Sequence, residues 1–338
     1  MVDNRTAILT GVKAAHELHR DLGIREQIER SEEWRIDVFS VISRLGATLM
    51  FQPLDKLLGA YLPGKENGIL ITTQRPLRIQ RFTAAHELGH LYLQHEPSLD
   101  DEDLLLRRSP FSGRAMVDRQ EREANAFAAT FLVPSWLVAI LLKQQGWSAA
   151  SLSNPLFAYQ ASLRLGTSFS ATCYSFERHR IIDREQRARL LSVKPQEIKR
   201  AALSDYEPSD WRGDVWLLTD RDEGVLIEGG HNDLFVVRLR EDSGAGYLWN
   251  FEELKAAGFA LVADDRDEDA ASEKIGGILT RRVTAQSQDR RRGEVTLRER
   301  RPWMPQSPIR EFHLRYDLRG PERAGMWEPD LRRLLRAA

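Results

Sequence analysis

The spacing of apolar positions changes along this chain and divides it. Over residues 5–30, Ile8, Val12, Ala15, Leu18, Leu22 and Ile24 recur at helical intervals, predicting one amphipathic helix. A second helix is predicted over 36–45, through Val38, Phe39, Val41 and Ile42. Three short apolar runs follow at 48–51, 58–62 and 68–72, broken by Pro53 and by Pro63-Gly64, and they predict strands. The stretch 81–93 is apolar on every side through Phe82, Ala84, Ala85, Leu88, Leu91 and Leu93. That pattern predicts a buried helix, ending near His95-Glu96-Pro97. Residues 118–134 predict a further helix, with Ala124, Phe127, Ala128 and Phe131 as its packing stripe. Helical pairs then follow at 151–165 and 168–176, joined at Gly166, and at 184–191 and 196–202. Between 205 and 213 the character shifts to short β-type runs at 215–218, 225–227, 234–239, 246–249, 259–262, 294–297 and 311–316. Several short strands with turn signals between them predict a β-sandwich. The chain therefore reads as α+β: a mostly helical domain with a small sheet (1–147), a helical lobe (148–204) and an all-β domain (214–338).

The chemistry concentrates in the buried helix. His86-Glu87-Leu88-Gly89-His90 has the form H-E-x-x-H. Residues four apart share a helix face, so His86 and His90 can present ring nitrogens to one point, at the spacing tetrahedral zinc requires. Glu87, about 100° further round, is then placed as a general base toward water. Two histidines inside an apolar core would be costly without a partner such as a metal. His16-Glu17-Leu18-His19 resembles the motif, but Arg20 stands where the second ligand belongs. His95 is one residue out of register with His90 and is predicted not to be a ligand.

A catalytic zinc takes three protein ligands and leaves one position open. The third can come from the helix at 118–134, where Glu121 and Glu123 are the candidates. Asn125, four residues after Glu121, is placed to support it or a motif histidine. The strand at 68–72, directly before the motif helix, could offer its edge to substrate backbone.

Composition narrows the partners. Of 338 residues, 49 are Lys or Arg and 50 Asp or Glu, a net charge of −1, so no global field draws the protein to nucleic acid. A single cysteine, Cys173, excludes an intramolecular disulfide framework and reads as a small core residue. The longest apolar run, 131–142, is interrupted by Pro134 and Ser135 and is short for a membrane span, and Met1 is not followed by an apolar signal core. A soluble, cytoplasmic protein is the expectation. The acidic run 98–103 reads as a solvated loop, as does Arg290-Arg291-Arg292 beside the acidic 264–269.

Residues 68–134 resemble the ImmA/IrrE family of zinc metallopeptidases. The resemblance rests on Arg81-Phe82-Thr83-Ala84-Ala85-His86-Glu87-Leu88-Gly89-His90, on Glu121-Arg122-Glu123-Ala124-Asn125-Ala126-Phe127-Ala128-Ala129, and on Leu132-Val133-Pro134. It implies a zincin-like fold with His86, His90 and Glu121 as zinc ligands and Glu87 as the base. It also implies a protein substrate, a helix-turn-helix repressor encoded nearby, and a role in stress response or transcription regulation. The lobe at 148–204 resembles the helix-turn-helix-like lobe that follows the peptidase in related proteins. Arg184, Arg187, Arg189, Lys199 and Arg200 lie in it, and packing is its expected role rather than DNA reading.

Three loops carry a second resemblance. They are Glu241-Asp242-Ser243-Gly244-Ala245-Gly246-Tyr247-Leu248-Trp249, Lys274-Ile275-Gly276-Gly277-Ile278, and Glu299-Arg300-Arg301-Pro302-Trp303-Met304-Pro305. Together they look like the chagasin-type cysteine peptidase inhibitors, which implies an immunoglobulin-like sandwich with a partner-binding edge. Arg301-Pro302-Trp303 follows the family's pattern, whereas Asp242-Ser243-Gly244-Ala245-Gly246 departs from its Asn-Pro-Thr-Thr-Gly. A tryptophan after proline on a loop is a rigid aromatic anchor of the kind that dominates protein interfaces. The sequence thus supports a zinc endopeptidase controlled by its β domain, with a zinc-bearing sensor or a protease-inhibitor module as the alternative.

Overall fold

The computed structural model describes residues 2–31, 33–55, 57–96, 119–267 and 279–337. The loops at 98–103 and 274–278 lie outside them. Two compact units emerge: residues 1–141, 161–183 and 321–338 form the first, and 142–160 with 184–320 the second. The closing residues 321–338, read from sequence as part of the β domain, therefore belong with the helical unit.

The first unit opens with α1 (Val2–Asp21) and α2 (Ile24–Arg30). The periodicity predicted one helix here, but Gly23 takes φ 59°, a left-handed conformation that breaks the run. Helix α3 (Val38–Arg44) starts where the Asp37 side chain accepts from the backbone N–H of Ser40 at 3.1 Å. Strands β1 (Thr48–Gln52), β2 (Gly59–Leu62) and β3 (Gly68–Thr72) appear where the apolar runs predict them. Strand β3, however, is interior: it pairs with β1 in parallel and with β2 antiparallel. Its edges are therefore used, and β2 is the edge strand on that side. The other edge receives a two-residue strand from the chain's end, Gly325–Met326, paired with β1.

Helix α4 (Leu77–Tyr92) carries the H-E-x-x-H motif, and α5 (Arg119–Leu132) carries the two glutamates. Burial of α4 follows its all-round apolar sequence, with Ala84, Ala85 and Leu88 fully enclosed. Gln80, also fully buried, fixes the first turn of α4 to its surroundings. Its amide donates to Thr72 O at 2.9 Å, and its carbonyl accepts from Glu322 N at 2.8 Å. Helix α5 continues after Pro134 as α6 (Ser135–Gln145). The stretch Arg119–Gln145 is apolar enough to cross a membrane by length and composition, yet 67% of its most apolar window is buried in the core. Helices α7 (Pro155–Leu165) and α8 (Phe169–Arg178) meet at Gly166, as predicted.

The C-terminal end of α5 is closed by side chains from α1 and from the end of α8. His19 Nε2 donates to Phe131 O at 3.0 Å, Arg178 Nη2 to Ala129 O at 2.8 Å, and His179 Nε2 to Val133 O at 2.7 Å. These bonds satisfy carbonyls that a helix end leaves orphaned. Burial lowers the pKa of His19 from 6.5 to about 4, with the Phe131 hydrogen bond opposing and His16 adding to the fall. A depressed pKa means the unfolded chain binds the extra proton, so this contribution is complete above pH 6.5 and is lost as pH falls toward 4. At about 1.4 kcal/mol per unit, the window of roughly 2.5 units corresponds to about 3 kcal/mol. Urea unfolding at pH 7 and pH 4.5 should show this loss, and His19→Gln, which keeps a donor but cannot titrate, should reduce it.

In the second unit, α9 (Arg184–Ser192) and α10 (Pro195–Leu203) precede two four-stranded sheets. One contains β4 (Val215–Thr219), β6 (Leu234–Glu241), β9 (Leu279–Ser287) and β8 (Phe259–Asp267), in the order β4-β6-β9-β8. The other contains β5 (Leu226–Glu228), β11 (Arg310–Asp317), β10 (Arg292–Arg300) and β7 (Leu248–Asn250), in that order. The Phe259 ring of β8 meets the Tyr316 ring of β11 at 5.0 Å, so side chains of the two sheets touch. Strand β6 is buried on both faces in its first half, because α10 covers it: Ala202 and Leu203 cluster with Val215, Leu234 and Val236.

Lys199 is turned inward, donating to the carbonyls of Trp211 at 3.0 Å and Gly213 at 2.7 Å. Arg200 pairs with Glu207 and lies over Trp211, and Arg189 pairs with Glu185. These basic residues of the lobe are engaged in packing and ion pairs. Strand β9 escaped the apolar pattern because Arg281 and Arg282 interrupt it. Opposite them, residues 264–267, read as a loop, extend β8. Arg281 Nε pairs with Asp264 at 2.5 Å, and Arg282 Nη2 donates to Ala202 O at 2.7 Å, so charge pairing replaces apolar burial there.

Candidate metal centre

Helices α4 and α5 cross closely where small residues permit it. A Cβ on Gly89 would lie 3.1 Å from Ala124 Cα and 3.2 Å from the Phe127 ring, so the motif helix approaches α5 with no side chain between. This contact brings Glu121 to the two histidines. The Nε2 atoms of His86 and His90 are 3.0 Å apart, and Glu121 Oε2 and Oε1 lie 3.2 and 3.1 Å from them respectively. All three side chains are buried, at 1%, 6% and 7% exposure, and their donor atoms fall within 4.8 Å of one another. Tetrahedral coordination at about 2.0–2.1 Å separates ligand atoms by about 3.3 Å. Two ring nitrogens and a carboxylate converging at these distances fit one small divalent cation. Glu87, 6% exposed, is the next residue around α4.

Glu123 and His95 lie beside the three converging donors and pair with each other. Helix α4 ends at Tyr92, three residues early, because Gln94 adopts φ 54°. His95 N then bonds to His90 O at 3.0 Å and Gln94 N to Leu91 O at 3.2 Å, a Schellman turn. The turn folds His95 back, and its Nδ1 lies 3.0 Å from His90 Nδ1. Its Nε2 lies 3.0 Å from Glu123 Oε2, and Glu123 Oε1 accepts from Arg119 Nε at 2.8 Å. His95 is outside the converging donors, and the turn at Gln94 brings its ring against His90. Burial is the main cause lowering the His95 pKa, with His90 next and Glu123 opposing. Asn125 is buried, with no hydrogen-bond partner for its Oδ1 among the described residues.

Residues 42–177 match the model of the peptidase M78 family, described as the IrrE N-terminal-like domain. The chain is similar to that domain over this segment. It is 38% identical over 111 residues to the radiation response metalloprotease IrrE of Deinococcus deserti, covering 32% of this chain and 37% of that protein. The Deinococcus radiodurans protein of the same name is 35% identical over 110 residues, again 32% of this chain, and 32% of that protein. An uncharacterized immunity region protein 2 of Bacillus phage phi105 is 32% identical over 85 residues, or 25% of this chain and 49% of that one. The chain thus spans about a third of the length of the IrrE proteins it matches.

Solved structures similar to this chain include a cysteine protease inhibitor from Entamoeba histolytica, at 22% identity and a TM-score of 0.29. That match covers 32% of this chain and 100% of the inhibitor. PbICP-C, in its complex with falcipain-2, matches at 12% identity and a TM-score of 0.20, covering 33% of this chain and 97% of that one.

In the second unit, the two described loops of the predicted interface lie against each other. Ser243–Ala245 forms a single 3₁₀ turn after Asp242, and Gly246 takes φ 81°. A Cβ on Gly246 would meet the Trp303 ring at 2.8 Å. Arg301 stacks over Tyr247 at 4.5 Å and donates to Ala245 O at 3.2 Å. Beneath them, fully buried Glu299 accepts from Asp242 N at 2.5 Å, and fully buried Glu241 accepts from Trp249 N at 3.0 Å. Pro302 and Trp303 occupy the tip of the β10–β11 hairpin, with Trp303 67% exposed.

Proposed function

We propose that this chain is a zinc-dependent metalloendopeptidase of the gluzincin type, acting in the cytoplasm on a protein substrate. The observation that carries the reading is the convergence of His86, His90 and Glu121 on one point, with Glu87 beside them on the same helix. Zinc suits two imidazoles and a carboxylate, and when bound it supplies polarisation of a peptide carbonyl and a lowered pKa for water. The protein's own part is proton management and positioning. Glu87, as carboxylate, accepts a proton from the attacking water and passes it to the leaving amine. The close contact of α4 with α5 supports Glu121 as the third ligand, with Asn125 buried four residues further along the same helix.

The substrate we infer is a helix-turn-helix repressor encoded beside this gene, so that cleavage would switch on stress-response or mobile-element transcription. The match to a phage immunity-region protein supports that class of target. The second unit, read as a chagasin-like immunoglobulin-type sandwich, would select or restrain the substrate through Asp242, Ser243, Gly244, Gly246, Arg301, Pro302 and Trp303. The test is incubation of the zinc-loaded chain with the repressor encoded nearest to it. Two fragments whose masses sum to the repressor plus one water are expected, and an intact repressor would remove this substrate assignment.

A second reading is favoured by one feature, the exposed Trp303 lying against Gly246, beside a loop where Arg301 stacks over Tyr247. It makes the second unit an inhibitor or protein-binding module in its own right. Titration against several papain-like proteases separates the two: inhibition that Trp303→Ala abolishes would establish it, and none at micromolar protein would dismiss it.

A further inference from the structure

His90 is held by more than its helix. It receives two contacts from His95, one to its carbonyl and one to its ring, and behind His95 stand Glu123 and Arg119. The protons in this chain can be assigned from what each partner is able to do. A carboxylate only accepts, so His95 Nε2, 3.0 Å from Glu123 Oε2, carries a hydrogen. His95 Nδ1 and His90 Nδ1 are 3.0 Å apart, and one of them must donate to the other. If His95 donated, its ring would be an imidazolium and His90 would be left with its hydrogen on Nε2, aimed at Glu121 and His86. With the donor on His90, its Nε2 keeps a lone pair toward those same groups.

We propose that His95 and Glu123 form a hydrogen-bond relay that locks His90 in its Nδ1–H tautomer and so aims the Nε2 lone pair at the metal position. The relay rests on the reading of His86, His90 and Glu121 as metal ligands. It runs from His90 Nδ1–H to His95 Nδ1, then from His95 Nε2–H to Glu123 Oε2, with Arg119 Nε closing on Glu123 Oε1 at 2.8 Å. Partners of this kind orient a ligating imidazole and raise its basicity. The backbone is built for it: Gln94, not a glycine, accepts φ 54° so that His95 turns back onto His90. His95 and Glu123 touch no other member of the ligand cluster in the contacts described above, which makes them positioning residues.

Two variants of the full chain test the relay. His95→Phe keeps a buried ring and removes the acceptor, and Glu123→Gln keeps an acceptor for His95 while removing the charge. Zinc affinity, measured by competition with a chromophoric chelator, should fall about 10–100-fold in His95→Phe and by less in Glu123→Gln. Ring nitrogen NMR of the metal-free protein should show His90 as the Nδ1–H tautomer in the parent and in Glu123→Gln. In His95→Phe it should shift toward the Nε2–H tautomer, a change that packing damage alone does not produce. Unchanged zinc affinity in both variants, or a parent His90 protonated on Nε2, would overturn the relay. If His95→Phe does not fold, Glu123→Leu, which removes the acceptor one step further out, should lower zinc affinity and shift the His90 tautomer in the same direction, and the absence of both changes would overturn the proposal. A parent chain that binds no zinc but holds His90 as Nδ1–H would instead refute the metal reading, so the two failures are distinguishable.

Discussion

Glu121→Ala should leave a folded chain that no longer retains zinc and no longer cleaves its substrate. Glu121 is the member of the cluster that comes from a different helix, and its two oxygens face the two histidine nitrogens at 3.2 and 3.1 Å. Without it, a two-histidine site on one helix remains, one protein ligand short of what catalytic zinc ordinarily takes. Folding should survive, because α5 is held independently by Ala124, Phe127, Ala128 and Phe131, all fully buried. The check is metal content after gel filtration, with circular dichroism on the same sample. The parent should carry about one zinc per chain and the variant essentially none. His86→Ala and His90→Ala should behave alike, and zinc retained at parental stoichiometry in all three would show that the metal sits elsewhere.

The second large effect separates chemistry from metal binding. Glu87→Gln preserves the size and hydrogen-bonding reach of the side chain but cannot accept a proton at neutral pH. Turnover should fall by about 10²–10⁴-fold, which corresponds to roughly 3–5 kcal/mol of transition-state stabilisation. Zinc content should be unchanged, since Glu87 is not among the three converging donors. A variant that loses zinc together with activity would make Glu87 a structural partner of the site instead of its base.

Much of this architecture was legible in the sequence, for reasons that can be named. The motif helix announces itself because burial on all sides leaves an apolar run around two histidines, and Ala84, Ala85 and Leu88 are indeed enclosed. The strands of the first sheet were visible as short apolar runs between turn residues, but their order was not. Adjacency in sequence made β3 look like an edge, whereas pairing on both sides makes it central. The packing of His95 against His90 was not legible for a different reason. Its position depends on one residue, Gln94, leaving helical geometry, and nothing in the composition of Leu93-Gln94-His95 signals a left-handed turn. Strand β9 was hidden because its stability comes from Arg281 and Arg282 meeting partners far away in sequence, which periodicity cannot register. The end of the chain was hidden likewise, since Met326 pairs with Met50 across almost the whole sequence.

A crystal of the zinc-loaded chain, with anomalous scattering recorded on either side of the zinc edge, tests the account at its centre. One anomalous peak bounded by His86 Nε2, His90 Nε2 and a Glu121 oxygen, with Glu87 adjacent but not ligating, is the predicted result. No peak at that point, or zinc held by other residues, would contradict it.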